Sequence, residues 1–261
     1  MTADGPPATD VLETLAANHD LVAALVDGPR QKQALADDLD VSPKTVYRRT
    51  RRLREHGLLT RGDAGYRLTV LGSLLADLHL DAADLVDRAS DADSLLSALD
   101  EDVVPPYWVL YEADVVQSEP FAPNQPIGRM RDLVTESDAL RGFSPVVLPQ
   151  YVELFHERAQ AGLSADLVVT PRIVEALRES APDELRAALE RDVTLHQTDR
   201  DLPYGLIVVD EPVPKAFILF YAENGGLQGV LSNDDPRTVV WARRQYETYA
   251  ADAERVDPAT F

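Results

Sequence analysis

The stretch from Ser42 to Gly57 constrains the fold more than any other part of the chain, because both ends of one helix are written into it. Ser42 followed by Pro43 is an N-cap with proline at the first helical position, where a backbone N–H would be unpaired anyway. Gly57 stands where a helix needs a left-handed C-terminal residue. Between them, at about 100° per residue, Val46, Arg49, Thr50 and Leu53 fall on one side. Lys44, Arg48, Arg51 and Glu55 fall on the other, flanked by Thr45, Tyr47 and Arg52. Such a helix buries a narrow stripe and turns long cationic side chains outward.

The flanks say what the helix packs against. Apolar spacing from Val11 to Val26 predicts a helix over 10–26, stopped by Asp-Gly-Pro-Arg at 27–30. A short second helix over 31–39 turns Ala34, Leu35 and Leu39 inward, and Asp40 to Ser42 makes a tight turn. After Gly57, residues 58–61, 62–65 and 66–69 read as strand, turn and strand, and a fourth helix opens at Val70. Three helices and a two-stranded wing result.

Charge sharpens the reading. The chain carries 45 Asp and Glu against 25 Lys and Arg, a formal net charge of -20. Residues 28–68 run against that trend with ten Lys or Arg and five Asp or Glu. Charge runs are usually solvated faces, but such faces mix signs, and here the positive charge coincides with the third helix of a helix, turn, capped helix, wing order. Arg and Lys on an outward face can donate to guanine edges in a major groove, and Tyr47 and Thr45 can meet phosphates or thymine methyls. The expected contact set is Ser42, Lys44, Thr45, Tyr47, Arg48, Arg51 and Arg52 on the helix, with Arg61 and Arg67 on the wing beside flanking phosphates.

These residues carry a resemblance. Ala34-Leu35, Val41-Ser42, Thr45-Val46, Leu53, Gly57-Leu58-Leu59 and the run from Tyr66 to Gly72 resemble the winged helix-turn-helix of archaeal and bacterial transcription regulators of the arsenic-repressor and multiple-antibiotic-resistance groups. The resemblance implies double-stranded DNA as partner, a homodimer, a recognition helix over 42–55 and a wing over 61–67. Abundant carboxylates with only three lysines, Lys32, Lys44 and Lys215, resemble proteins of salt-in halophiles.

Residues 81–104 read as a helical connector or dimerisation segment rich in Asp and Ala. Beyond them the periodicity changes. Residues 107–116, 165–170, 193–198, 204–210, 216–223 and 227–233 are strand candidates by β-branched and aromatic content, and 127–140, 149–161, 171–179, 182–191 and 236–253 are amphipathic helices. Asn224-Gly225-Gly226 is a hairpin turn signal. The predicted class is α+β in more than one domain: a winged helix-turn-helix over 1–80, the connector, and an α/β domain over 105–261.

The order of elements over 105–255, with Ser144-Pro145 and Trp241 as marks, resembles the effector domain of archaeal methanogenesis-type regulators. It is more loosely similar to the sugar-sensing domain of TrmB-type regulators, whose mixed sheet is related to phospholipase D. That enzyme signature, His-x-Lys-x4-Asp, is degenerate here: with Asp210 as the acid, the other two positions hold Gly205 and Pro203. The resemblance implies a sensing or dimerising domain rather than an enzyme, with a nucleic-acid phosphodiesterase or a ligand-independent DNA-binding scaffold as alternatives.

Composition removes other chemistries. Without cysteine there is no disulfide, thiolate nucleophile or cysteine zinc site, and the five histidines lack metal-ligand spacing. His156-Glu157 is followed by Gln160 where a zincin needs its second His. No Walker loop, dinucleotide fingerprint or nucleophile elbow is present, so no catalytic residue, metal or cofactor is expected. Candidate pocket residues for a small-molecule effector are Tyr107, Trp108, Tyr111, Arg141, Tyr151, Tyr204, Asp210 and Trp241, aromatic or charged near strand ends. No apolar run approaches a membrane span, and the acidic start lacks a signal peptide's features, so a cytoplasmic protein without a membrane partner is expected.

Overall fold

Ser42 caps its helix as the sequence requires: its Oγ accepts from the Thr45 N–H at 3.1 Å. The computed structural model describes residues 7–101 and 103–260. They divide into two compact units that meet between Asp87 and Arg88.

In the first unit, α1 (Ala8–Ala16) and α2 (His19–Val26) replace the single helix predicted over 10–26. The break falls at Asn18, which is buried and donates from Nδ2 to the Thr14 carbonyl at 2.7 Å. Next come α3 (Lys32–Asp38) and α4 (Pro43–Glu55), with Asp40 at φ 50° in the turn between them. Gly57 ends α4 at φ 71°, a conformation that costs glycine nothing and strains other L-residues. β1 (Leu59–Gly62) and β2 (Gly65–Leu68) form the antiparallel wing, and Arg30 bridges to Tyr66 beside it. Leu21, Leu25, Leu35, Val46, Leu53 and Tyr66 fill one core, each contributed by a different turn of these elements. The helix α5 (Val70–Asp91) is continuous over 22 residues, running through residues 80 and 81, where the sequence divides winged domain from connector.

In the second unit, α6 (Asp93–Leu96) precedes a 3-10 turn at Tyr107–Val109 and β3 (Asp114–Gln117). The strand predicted over 107–116 is therefore corrected to a turn and a short strand, and Glu112, at φ 53°, interrupts extended backbone between them. Then follow α7 (Gln125–Glu136), β4 (Ala139–Phe143), α8 (Pro149–Gln160), β5 (Ser164–Val169), α9 (Pro171–Ser180), α10 (Pro182–Leu189), β6 (Val193–Gln197), β7 (Gly205–Glu211), β8 (Lys215–Tyr221), β9 (Leu227–Asn233), α11 (Pro236–Ala250) and β10 (Glu254–Arg255). The eight-stranded sheet has the order β10-β6-β5-β4-β7-β8-β9-β3. β4, β5 and β6 run parallel, joined by helical crossovers, and the remaining pairings are antiparallel. One face packs on residues of α7 to α10 such as Leu133, Ile173 and Leu185. The helix α11 packs against β4, β7 and β8, with the Tyr249 ring centre 4.5 Å from that of Phe143 and the rings tilted at 46°. The unit is a mixed α/β sheet with helices on it, as the change of periodicity predicts.

Candidate nucleic-acid interface

The ridge on α4 stands on a buried foot. Val46, Thr50 and Leu53 have 0%, 1% and 0% exposure, and the Thr50 hydroxyl donates to the Val46 carbonyl at 2.8 Å, so its polar atom is satisfied inside the helix. Above this foot Lys44, Tyr47, Arg48, Arg51 and Arg52 are exposed. Lys44, Arg48 and Arg52 have no ion-pair partner among the described residues. Arg51 does: its Nε lies 2.8 Å from Glu55 Oε1, one helical turn on. Both side chains are more than half exposed, and an exposed pair of this spacing contributes only about 0.3–0.5 kcal/mol, so Arg51 can exchange Glu55 for another anion. Arg54, absent from the predicted set, is exposed on the flank beside Tyr47. Its angular position, about 280° from Lys44 at 100° per residue, would have revealed it.

The structure gives two predicted contacts a local task. Ser42 and Thr45 are bound to each other, the two hydroxyls 3.0 Å apart, so they close the first turn of α4. The wing arginines separate. Directly paired residues on adjacent strands share a face; Arg61 pairs with Tyr66 and Arg67 with Thr60, one residue apart along the ladder. Arg61 and Arg67 therefore lie on opposite faces of the hairpin, Arg61 with its guanidinium 5.5 Å from the Tyr66 ring centre.

Arg49 does something sequence reasoning did not assign. Its guanidinium donates from Nε to Asn18 Oδ1 at 3.0 Å and pairs with the Asp20 carboxylate. The Arg49 side chain is only 16% exposed, and it holds the Asp20 carboxyl below its ordinary range. This contact ties α4 to the corner between α1 and α2. We expect Arg49→Met to lower the unfolding free energy of the first unit by about 1–2 kcal/mol, the loss of charged hydrogen bonds, measured by urea unfolding; an unchanged midpoint would show the clamp to be idle.

The effector candidates scatter. Arg141 and Asp210 meet, Nε to Oδ2 at 2.7 Å, and Arg243 of α11 reaches the other Asp210 oxygen at 2.9 Å. Tyr204 is buried with its ring 5.4 Å from that of Phe143. Tyr107 is exposed and edge-on to Trp108, which shares a surface groove with Trp241 and Arg237. Tyr111 carries the Arg237 guanidinium over its ring. Tyr151 lines a separate cavity. Among the described residues they do not converge on one of these pockets. Along β5 and β6, His196 Nε2 lies 3.0 Å from Asp166 Oδ1.

The two units are thus a winged helix-turn-helix with an exposed cationic helix and a mixed α/β sheet with helices on it. Residues 8–91 match the family of the HVO_A0261 N-terminal domain, and residues 123–252 match the middle domain of the methanogenesis regulatory protein FilR1. Unit by unit, the chain is similar to these two families. The methanogenesis regulatory protein FilR1 of Methanothrix harundinacea (strain 6Ac) is 22% identical over 240 residues, 82% of this chain. The chain spans about half the length of that relative, 50%. Among solved structures, TrmBL2, described as an archaeal chromatin protein with a novel mode of DNA binding, is similar with a TM-score of 0.44 and 16% identity over 95% of this chain and all of its own. The phospholipase D family member Nuc from Salmonella typhimurium gives 0.44 and 11% over 56% of this chain and 99% of its own.

Proposed function

We propose that the chain is a sequence-specific DNA-binding transcription regulator that places the outer face of α4 in a major groove and answers to a small metabolite held by its second unit. The observation that carries the DNA reading is the exposed ridge of Lys44, Arg48, Arg51 and Arg52 over buried Val46, Thr50 and Leu53, in a chain of net charge -20. An acidic protein gains nothing in solubility from such a patch, whereas a polyanion partner uses it directly. Positions 203 and 205, Pro and Gly, offer neither nucleophile nor phosphate-holding cation, which supports binding rather than catalysis in the second unit. Band shifts on genomic fragments recovered with the protein, repeated from low to molar KCl, test the reading. Sequence-selective binding that survives salt is expected; equal binding to every fragment would remove the specific-regulator reading.

A dimer would set two recognition helices about 34 Å apart, one turn of the duplex. On α5, Leu71, Leu74 and Leu78 are exposed at 52%, 65% and 59%, at spacings that keep them on one stripe. We read this stripe as the pairing seam. Leu74→Glu is expected to convert a dimer to a monomer in light scattering and to weaken operator binding at least tenfold; a dimer that persists moves the seam elsewhere.

A further inference from the structure

Between the sheet and helices α8 and α10 lies a cavity of about 100 Å³. Its walls are apolar: Val152 and Phe155 from α8, Ala188 from α10, and Leu167 and Leu195 from the strands beneath. Three hydroxyls interrupt them. Ser144 Oγ donates to the Val146 carbonyl at 2.7 Å, and it stands 3.0 Å from the Tyr221 hydroxyl. Since the serine proton is committed, Tyr221 donates to Ser144 and keeps its own lone pairs available as acceptor. The third belongs to Tyr151, which also lines the pocket. Tyr151 is only 7% exposed, and its oxygen is buried with no hydrogen-bond partner among the described residues.

A buried hydroxyl without a partner is uncommon in a native protein and asks for an explanation. Burial also keeps both phenols neutral: it pushes Tyr221 up to about 12, and Tyr151 is raised by the same cause. Among the described lining residues Glu184 carries the one charged side chain and would repel an anion, while the Arg131 guanidinium acts on Tyr151 from outside that lining. Size sets the last limit: a cavity of about 150 Å³ admits benzene, so one of about 100 Å³ takes a molecule smaller than that ring.

We propose that this cavity is the effector site, and that it takes a compact, neutral, mainly apolar molecule carrying one hydroxyl or carbonyl oxygen, with Tyr151 as its hydrogen-bond partner. A branched-chain alcohol or aldehyde of roughly four or five non-hydrogen atoms meets these demands. The proposal deepens the sensing half of the function above and rests on it. It assigns no role to Arg141, Asp210 or Trp241. The loop through Ser144 and Val146, together with α8, forms the wall that such a molecule would brace.

The experiment uses the full-length protein without DNA. Isobutanol and isobutyraldehyde serve as probes, and isobutyrate as their charged counterpart, followed by heteronuclear NMR shifts and calorimetry. Saturable binding of the two neutral probes is expected, with isobutyrate at least tenfold weaker. Tyr151→Phe preserves shape and should cut affinity for isobutanol about tenfold; Ala188→Phe should fill the space and abolish binding of both. No saturation by either neutral probe, equal binding of isobutyrate, or affinities unchanged in Tyr151→Phe would each overturn the proposal. Because no DNA is present, such a failure leaves the band-shift result standing, and loss of DNA binding leaves the calorimetry standing.

Discussion

Arg48→Ala is expected to weaken operator binding by about 5- to 150-fold, the range of about 1–3 kcal/mol for one bidentate base contact, with unchanged circular dichroism and melting temperature. Arg48 is exposed at the crest of α4 and has no ion-pair partner among the described residues, so truncating it removes no contact on which the fold depends. Arg51→Ala should cost less, because in the free protein its guanidinium already has Glu55. Arg48→Lys separates charge from shape: at about 1 M salt the Debye length falls to about 3 Å, so a point charge acts only in contact and the planar fork carries the discrimination. Intermediate affinity is expected. If Arg48→Ala binds as the wild type does, α4 is not in the groove.

Gly72→Ala should destabilise the first unit by about 1–2 kcal/mol, although Ala is normally the better helix residue by about 1 kcal/mol. A Cβ at Gly72 would sit 1.9 Å from the Leu58 carbonyl oxygen and 2.8 Å from its carbon. That carbonyl cannot swing aside: it accepts from the Thr69 N–H at 3.0 Å, and the Leu58 N–H is bound to the Leu53 carbonyl at 3.0 Å. Overpacking against backbone costs about 1–3 kcal/mol or more and outweighs the helix gain. The melting temperature of the unit should fall by roughly 5–15 °C, and DNA affinity with it, since the Leu58 N–H is bound to the Leu53 carbonyl in the last turn of α4. Gly128 on α7 is the control, because a methyl group there would have nothing within 4 Å of it; Ala at that position should be neutral or slightly stabilising. A Gly72→Ala protein that melts as the wild type does would show that α5 and the wing are loosely joined.

What could be read from the sequence was what local chemistry decides. Ser42, Pro43 and Gly57 bound α4 because caps are built from neighbouring backbone, and the predicted strands at 165–170, 193–198 and 227–233 appear as β5, β6 and β9 within a residue or so. The break at Asn18 was hidden because Asn18 answers to Arg49, 31 positions away. The strand β4 was missed because Arg141 and Gly142 do not read as the middle of a buried strand; Arg141 is tolerated there through Asp210, on a different strand, and Gly142 has the Leu206 carbonyl against its Cα. The Tyr151 cavity was illegible for the same reason. Its walls come from helices and strands that no sequence spacing connects, and Tyr151 entered the candidate set only as an aromatic residue near a strand end.

The clamp on Arg49 has a meaning for azimuth. Neighbouring residues of a helix differ by about 100° around its axis, so a twist of α4 by a quarter of that would carry its crest away from one base pair toward another. Asn18 and Asp20 grip Arg49 from the far side of the axis, and a cylinder held at its back cannot spin. With α4 in the groove as proposed, the corner between the first two helices would work as a phase stop, and sequence changes there should alter which bases are read before they alter how tightly DNA is held.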